Sequence, residues 1–331
     1  MNEPAPTPAE TIPTVKYGMG RYSLFQGSLV ITGWVQVMGA PITGVKLVLP
    51  DDQVFPLTLK TETGDEGSTR FSFDQRFELK TKASDLASGE LVIDTQDQQQ
   101  HKITNPGQPQ GDGTHQALET FINAMQAQGK PGHLLEIGAR ARSSIARRHF
   151  APKDWQYTGL DIMEGPNVDV TGDAHSLSRH FRKNTFDAVM SFSVFEHLLM
   201  PWKVAIELSK VMKTGGIGLV MTHQTWPLHE QPWDFWRFSD QAWHAIFNPA
   251  TGFVIEQAVI GEQAFIVPRM CHPTNAFDEH YEGSLSSAVL FRKVGRSSVK
   301  WPVELDAVLP TAYPKGETVI DGKVTGVQST E

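Results

Sequence analysis

Between residues 22 and 104, apolar and polar residues alternate with a period of two. SLVITGWVQVMG, TGVKLVLP, QVFPLTLKT, RFSFDQRFELK and GELVIDT all read this way, and the turn clusters GAP, PDD, TGDEGS and ASDLASG part them. Alternation marks strands with one buried face. Several short strands at this spacing predict a small all-β sandwich of immunoglobulin-like kind. In that reading Phe71, Phe73 and Phe77 share strand parity and form one core-facing row. Trp34, beside Gly33, is expected in the core, with a sugar-stacking surface as the alternative.

The pattern then breaks. DTQDQQQHKITNPGQPQGDGTH is rich in Gln, Gly and Pro and reads as a linker. From residue 115 the period lengthens, and HQALETFINAMQAQG sets Leu118, Phe121, Ile122 and Met125 on one helical face. The short runs HLLEIG, QYTGLDI, NVDVTGDA, FDAVMSFS, IGLVMTH and FVIEQAVI follow. SSIARRHF, SLSRHF, PWKVAIELSKVMK and SDQAWHAIF lie between them as helices. Such alternation predicts an α/β, Rossmann-like doubly wound sheet, mostly parallel, with SSAVLFRKV as an antiparallel edge strand. The expected layout is a flexible tail at 1–20, a β-sandwich at 21–105, a linker at 106–116, an α/β domain at 117–294 and a polar tail at 295–331.

Composition narrows the function. The 331 residues suit two domains. Net charge is −8, and neither half is basic, which argues against nucleic acid as partner. Cys271 is the single cysteine, so no internal disulfide or cysteine-rich zinc site is expected. MNEPAPTPAETIPT lacks the basic start and apolar core of a signal peptide, and no apolar run is long enough to span a membrane. A cytoplasmic protein is the expectation, with the oligomeric state left open.

In open α/β sheets ligands bind beyond the carboxyl ends of the strands. There stand Glu136-Ile137-Gly138, then Asp161, then Gly172-Asp173-Ala174-His175. Asp161 is placed to accept from ribose hydroxyls and Asp173 from an exocyclic adenine amine, so the set suits an adenosine. A dinucleotide fits poorly, because Gly138-Ala139-Arg140-Ala141-Arg142 keeps only the first glycine of G-x-G-x-x-G. S-adenosylmethionine carries no phosphate; its cationic groups favour Glu136, and its carboxylate suits a loop amide or an arginine.

The ordered set resembles the class I S-adenosylmethionine-dependent methyltransferases (type 11-like). LLEIGARAR matches the first motif, GLDI the second and GDAHSL the third. FDAVMSFSVFEHLLMPWKVAIELSKVMKTGG covers the fourth, its helix and the turn into strand five. The resemblance spans about residues 115–293. It implies S-adenosyl-L-methionine as cofactor. It implies contacts at Glu136, Gly138, Arg140, Asp161, Ile162, Asp173, Ala174 and the segment 191 to 197, including Ser191 and Phe192. Arg140 and Arg142 stand where the family usually has glycine, so they either turn outward or clamp the cofactor carboxylate. A degraded, non-catalytic scaffold is the rival reading.

Four of the eight tryptophans, Trp226, Trp233, Trp236 and Trp243, fall in one short stretch. Pro227 and Pro232 bar a regular helix there, so QTWPLHEQPWDFWRFSDQAW reads as a loop above the sheet edge. Trp226, Trp233, Trp236 and Arg237 are expected to wall an acceptor pocket. His229, Asp234, His223, Glu230 and His197 are the candidate proton acceptors, since a neutral imidazole can take a hydroxyl proton. His223, His229, Glu230 and Asp234 include metal-ligand types, but their spacing is irregular and no metal is expected. The acceptor is read as a small molecule or saccharide, O-methylation of a polysaccharide precursor being the leading case and a phenol the alternative.

Overall fold

The computed structural model describes residues 15–25, 27–63, 69–79, 81–107, 111–141, 146–267, 282–309, 318–320 and 323–325. Arg142 and Cys271 lie outside them. The chain divides into two compact units, Met1–Gln110 and Gly111–Glu331.

The first unit holds β1 (Val15–Phe25), β2 (Ser28–Val37), β3 (Ile42–Leu49), β4 (Gln53–Leu57), β5 (Lys60–Thr63), β6 (Thr69–Glu78), a one-turn α1 (Ala83–Ala87), β7 (Glu90–Thr95) and β8 (Gln100–Thr104). They form two antiparallel four-stranded sheets, β1-β2-β6-β5 and β4-β3-β7-β8. Leu29, Ile31 and Val35 of β2 meet Val45, Leu47, Leu91 and Ile93 of the other sheet in one core. Phe73 is buried in it, and Phe71 and Phe77 pack against it half-buried.

Four expectations change in this unit. Residues 15–20, expected in a flexible tail, are strand, because β1 pairs with β2 from Val15↔Val37 onward. The linker reading swallowed β8, whose Ile103 pairs with Leu91. QVFPLTLKT is two strands in different sheets. Trp34 sits at an even position of β2, off the core-facing row, with the Arg70 guanidinium 4.0 Å over its ring. It is neither core filler nor an open stacking face.

The second unit holds α2 (Gly113–Gln126), β9 (His133–Ile137), β10 (Gln156–Asp161), β11 (Val170–Thr171), α3 (Leu177–His180), β12 (Phe186–Phe192), α4 (Pro201–Val211), β13 (Met212–His223), α5 (Ala242–Ile246), β14 (Phe253–Phe265) and β15 (Glu282–Lys293). Their order is β11-β10-β9-β12-β13-β15-β14. The first five strands are parallel. β15 runs antiparallel to both neighbours. The antiparallel strand is therefore one place in, and β14 is the edge. The reason lies in burial: residues 288–291 of β15 are all fully buried apolar side chains, which an edge would expose.

Both sheet faces are covered. Ala117, Phe121 and Met125 of α2 pack on Leu134, Met190 and Leu219. Leu135, Val189 and Val220 meet α4 and the aromatic group Phe195, Trp243 and Phe247 on the other face. α2 starts at Gly113, inside the stretch read as linker, because the Asp112 carboxylate accepts the Thr114 and His115 amides. Two helices are shorter than their sequence runs suggest, one turn at α3 and five residues at α5, and Arg147–Phe150 is a 3-10 turn. Among the described residues no helix links β10 to β11. Residues 301–304 of the segment read as a tail are packed. Trp301 Nε1 approaches Met200 Sδ at 3.2 Å, Lys203 donates to the Val303 carbonyl, and Arg179 pairs with Glu304 at 3.3 Å.

Candidate active site

Strand order reverses between β9 and β12, and a cavity of about 380 Å³ opens above their carboxyl ends. That is within the roughly 300–1,000 Å³ usual for ligand pockets. It has two ends, each built from different elements.

The first end is lined by Gly138, Arg140, Arg147, Asp161, Ile162, Gly172, Asp173, Ala174, Phe192, Ser193 and Val194. Gly138 has φ +79°, and a Cβ there would lie 2.0 Å from Val194 Cγ2, so only glycine fits this turn. Both Asp161 oxygens are oriented by backbone amides: Oδ2 accepts from Arg140 (3.2 Å) and Oδ1 from Met163 (2.9 Å). Asp173 Oδ1 accepts from the amide and Nδ1–H of His175, at 2.9 and 2.7 Å. Burial opposes ionisation of Asp173, but those His175 bonds outweigh it and hold its carboxyl below the ordinary range. His175 Nε2 in turn accepts the Met200 amide at 3.2 Å, so His175 is a buried neutral strut for Asp173.

Some expected cofactor contacts stand elsewhere. Glu136 is buried and is not among the residues lining the cavity. It accepts from the Tyr157 hydroxyl and from Asn167 Nδ2 (3.4 Å), with Arg147 Nη1 at 3.8 Å. Burial raises its carboxyl despite those partners. Ser191 is also buried and donates to the Ile137 carbonyl at 3.1 Å, a tie between β12 and β9. Arg140 turns back on Asp161 (Nε to Oδ1, 3.7 Å), and its aliphatic stem covers Gly165. The arginine that the sequence did not flag is Arg147. Its guanidinium lies 4.5 Å over the Phe192 ring and lines the cavity.

The second end is lined by His197, Leu198, His223, Trp226, His229, Glu230 and Trp233, with Leu305 from the C-terminal segment. The loop from β13 to α5 is pinned at several points. The Glu196 carbonyl accepts the Phe235 and Trp236 amides (2.8 and 3.2 Å), and Phe238 N–H donates to His223 O at 3.0 Å. Phe238 then stacks on buried Trp243 at 4.5 Å. Trp243 is thus core, while Trp226 is exposed and stacks on His223 at 4.9 Å. Trp236 is not among the lining residues; its Nε1 donates to Leu198 O at 2.8 Å.

Asp234 and Arg237, expected at the acceptor, are the loop's brace. Arg237 Nη1 and Nη2 donate to the two Asp234 oxygens at 2.6 and 2.8 Å, and Arg237 also donates to the Trp226 and Pro227 carbonyls. Asp234 has no exposed side-chain surface. Burial works against its charge, yet the Arg237 bonds and the His229 amide hold it down at about 2. Clamped by Arg237, its carboxylate orients His229 through the His229 amide.

The side chain that this end is built around is Glu196, which carries no sequence signal beyond its place in the segment 191 to 197. It is fully buried on a 3-10 turn after β12 and accepts from the Thr222 hydroxyl through Oε2. Oε1 has no hydrogen-bond partner among the described residues. Nε2 of His223, His197 and His229 lie 3.3, 3.8 and 4.0 Å from it. Burial, with Asp234 nearby, pushes Glu196 up to about 7. Burial and the neighbouring His229 and Arg237 pull His223 down to about 4, and burial lowers His197 as well. His197 Nδ1–H donates to the Trp233 carbonyl at 2.5 Å, which leaves Nε2 as a bare lone pair.

Residues 135–220, from β9 through most of β13, match the family described as a methyltransferase domain. Over these residues the chain is similar to a methyltransferase domain, with S-adenosyl-L-methionine as its cofactor. No curated protein matches the chain. Its fold is similar to the YcgJ protein from Bacillus subtilis, at 17% identity over 55% of this chain and 99% of that one, TM-score 0.38. It is also similar to a SAM-dependent methyltransferase from Aquifex aeolicus, at 14% over 55% and 94%, TM-score 0.36. The CurJ carbon methyltransferase aligns at 16% identity over 54% of each chain, TM-score 0.37. Likeness at these scores carries nothing about chemistry. Among the described residues no helix is long and apolar enough to cross a membrane.

The first end fits this cofactor. Gly138 leaves backbone in reach, Asp161 and Asp173 offer oriented acceptors, and Arg147 offers a cation in the cavity wall.

Proposed function

We propose that the protein transfers the methyl group of S-adenosyl-L-methionine to a hydroxyl oxygen held at the histidine end of the cavity. The carrying observation is that one continuous cavity joins the adenosine-type carboxylates Asp161 and Asp173 to His197, His223 and His229. The cofactor supplies an electrophilic sulfonium methyl. The acceptor oxygen would take that methyl, the C–S electron pair staying on sulfur. The acceptor proton goes to Nε2 of His197. That nitrogen is bare and neutral, and its residue follows Val194, which abuts Gly138, by three positions. In-line placement of oxygen and methyl carries much of the rate, and the base adds to it.

The exposed indole of Trp226 suits the flat C–H face of a sugar ring, which supports a saccharide hydroxyl as acceptor. Methyl-transfer assays read by mass gain, over a panel of saccharides, phenols and small acids, test this. Mass gain on saccharides is expected. Gain on phenols alone moves the acceptor to an aromatic hydroxyl, and no gain on any member overturns the reading.

A further inference from the structure

We propose that Glu196, His223 and His229 form a site for one divalent transition-metal ion at the acceptor end of the cavity. One ligand atom from each of the three lies within 4.8 Å of the others. The imidazoles arrive prepared for coordination. His229 Nδ1–H donates to the Pro227 carbonyl at 3.1 Å, with Asp234 Oδ2 3.3 Å away, so its Nε2 is a bare donor. A metal-binding histidine ordinarily has its other ring nitrogen held this way, by a carbonyl or a carboxylate. His223 is held in plane by Trp226 stacked on it.

Glu196 Oε1 is the independent sign. It belongs to a fully buried side chain, faces the imidazole nitrogens, and has no hydrogen-bond partner among the described residues. A buried oxygen left without a donor, with the bare Nε2 of His229 facing it, is costly, and a cation satisfies both at once. Ligands about 2.1 Å from a tetrahedral metal stand roughly 3.4 Å apart. The Glu196 Oε1 distances to His223 and His229 Nε2 are 3.3 and 4.0 Å, so those two sides of the triangle are within about half an ångström of that spacing, and all three ligand atoms lie within 4.8 Å of one another.

Two imidazoles and a carboxylate suit zinc, cobalt, nickel, iron or manganese better than magnesium or calcium. Three protein ligands leave a coordination position open, and both histidines line the cavity. The consequence rests on the proposed function: an acceptor hydroxyl at that position is acidified by the ion. His197, outside the triad, stays available as the base.

The test uses the full chain, stripped with chelator and titrated with Zn²⁺ by calorimetry and with Co²⁺ by visible absorption. One saturable ion per chain is expected, weakened about a hundredfold or more in Glu196→Gln and His223→Ala, and roughly ten- to a hundredfold in the bracing variant Asp234→Asn. Circular dichroism of Glu196→Gln, nearly the same shape as the parent, checks folding. No saturable site, or one unchanged in both ligand variants, overturns the proposal. Ion binding without methyl transfer to any acceptor would sink the function and leave the site. Transfer unaffected by chelation, in a chain that binds no ion, would do the reverse.

Discussion

The two ends of the cavity use carboxylates in opposite ways. At the cofactor end, Asp161 and Asp173 are oriented by amides and a neutral histidine. Their oxygens are fixed acceptors for hydroxyl and amine donors. At the acceptor end, Glu196 is buried without a donor to Oε1 and is surrounded by imidazole nitrogens. The first arrangement recognises a ligand of fixed shape. The second stores unspent electron pairs for a proton or a cation. In the proposed function one sheet edge thus carries binding and reactivity side by side, separated by the turn from Ser193 to His197.

The comparison can be broken by separate strikes at each end. His197→Ala removes the proposed base, and turnover is expected to fall about 10²- to 10⁴-fold, while the dissociation constant of S-adenosylhomocysteine stays within about twofold. Equal losses in both would place His197 on the cofactor side. Asp161→Ala should act in reverse. Losing charge-assisted bonds is worth about 3 kcal/mol, or roughly a hundredfold in cofactor affinity by calorimetry, with Zn²⁺ binding unchanged.

Asp234→Ala leaves the half-buried Arg237 without its anion and removes two charge-assisted bonds, which should cost about 2 kcal/mol in denaturant unfolding. Turnover should fall with it, since His229 loses its brace. Acid provides a gentler version. Asp234 has a folded value near 2 against an ordinary 3.8, so its stabilisation is present above pH 4 and lost as pH falls toward 2. Glu196 has the opposite sign: its folded value near 7 exceeds the ordinary 4.5, so stability drops as pH rises from 4.5 through 7. Tryptophan fluorescence of the loop against pH reads both. The smallest effect belongs to Trp236→Phe, which loses the bond to Leu198 O, about 1 kcal/mol, without changing acceptor KM.

How much of this the sequence shows depends on the kind of information needed. Strand ends are visible as apolar runs closing on Gly138, Asp161 and Asp173, and all three line the cavity. β1 is hidden because VKYGMGRYSLF mixes glycine and charge into its alternation, and β8 because QHKIT sits among linker-like residues. SLSRHF and SDQAWHAIF have helical spacing but are too short for it to show where a helix ends. Around the acceptor, composition names the right stretch but not the direction of each side chain. Asp234 and Arg237 look as catalytic as His229 until their mutual clamp is seen. Glu196 looks ordinary because what matters about it, an oxygen without a partner, is a fact of packing from distant β13 and the loop.

Val194 touches the ground under the cofactor through Gly138, and two residues on, Glu196 holds the acceptor end and the backbone of the tryptophan loop. If both ligands bind as proposed, a shift of that turn on binding one would bear on the site of the other. Linkage then requires reciprocity: whatever factor S-adenosylhomocysteine applies to the ion's affinity, the ion applies to it. The spacing of one short turn thus sets an exchange rate between the two ligands, measurable at equilibrium before any acceptor is known.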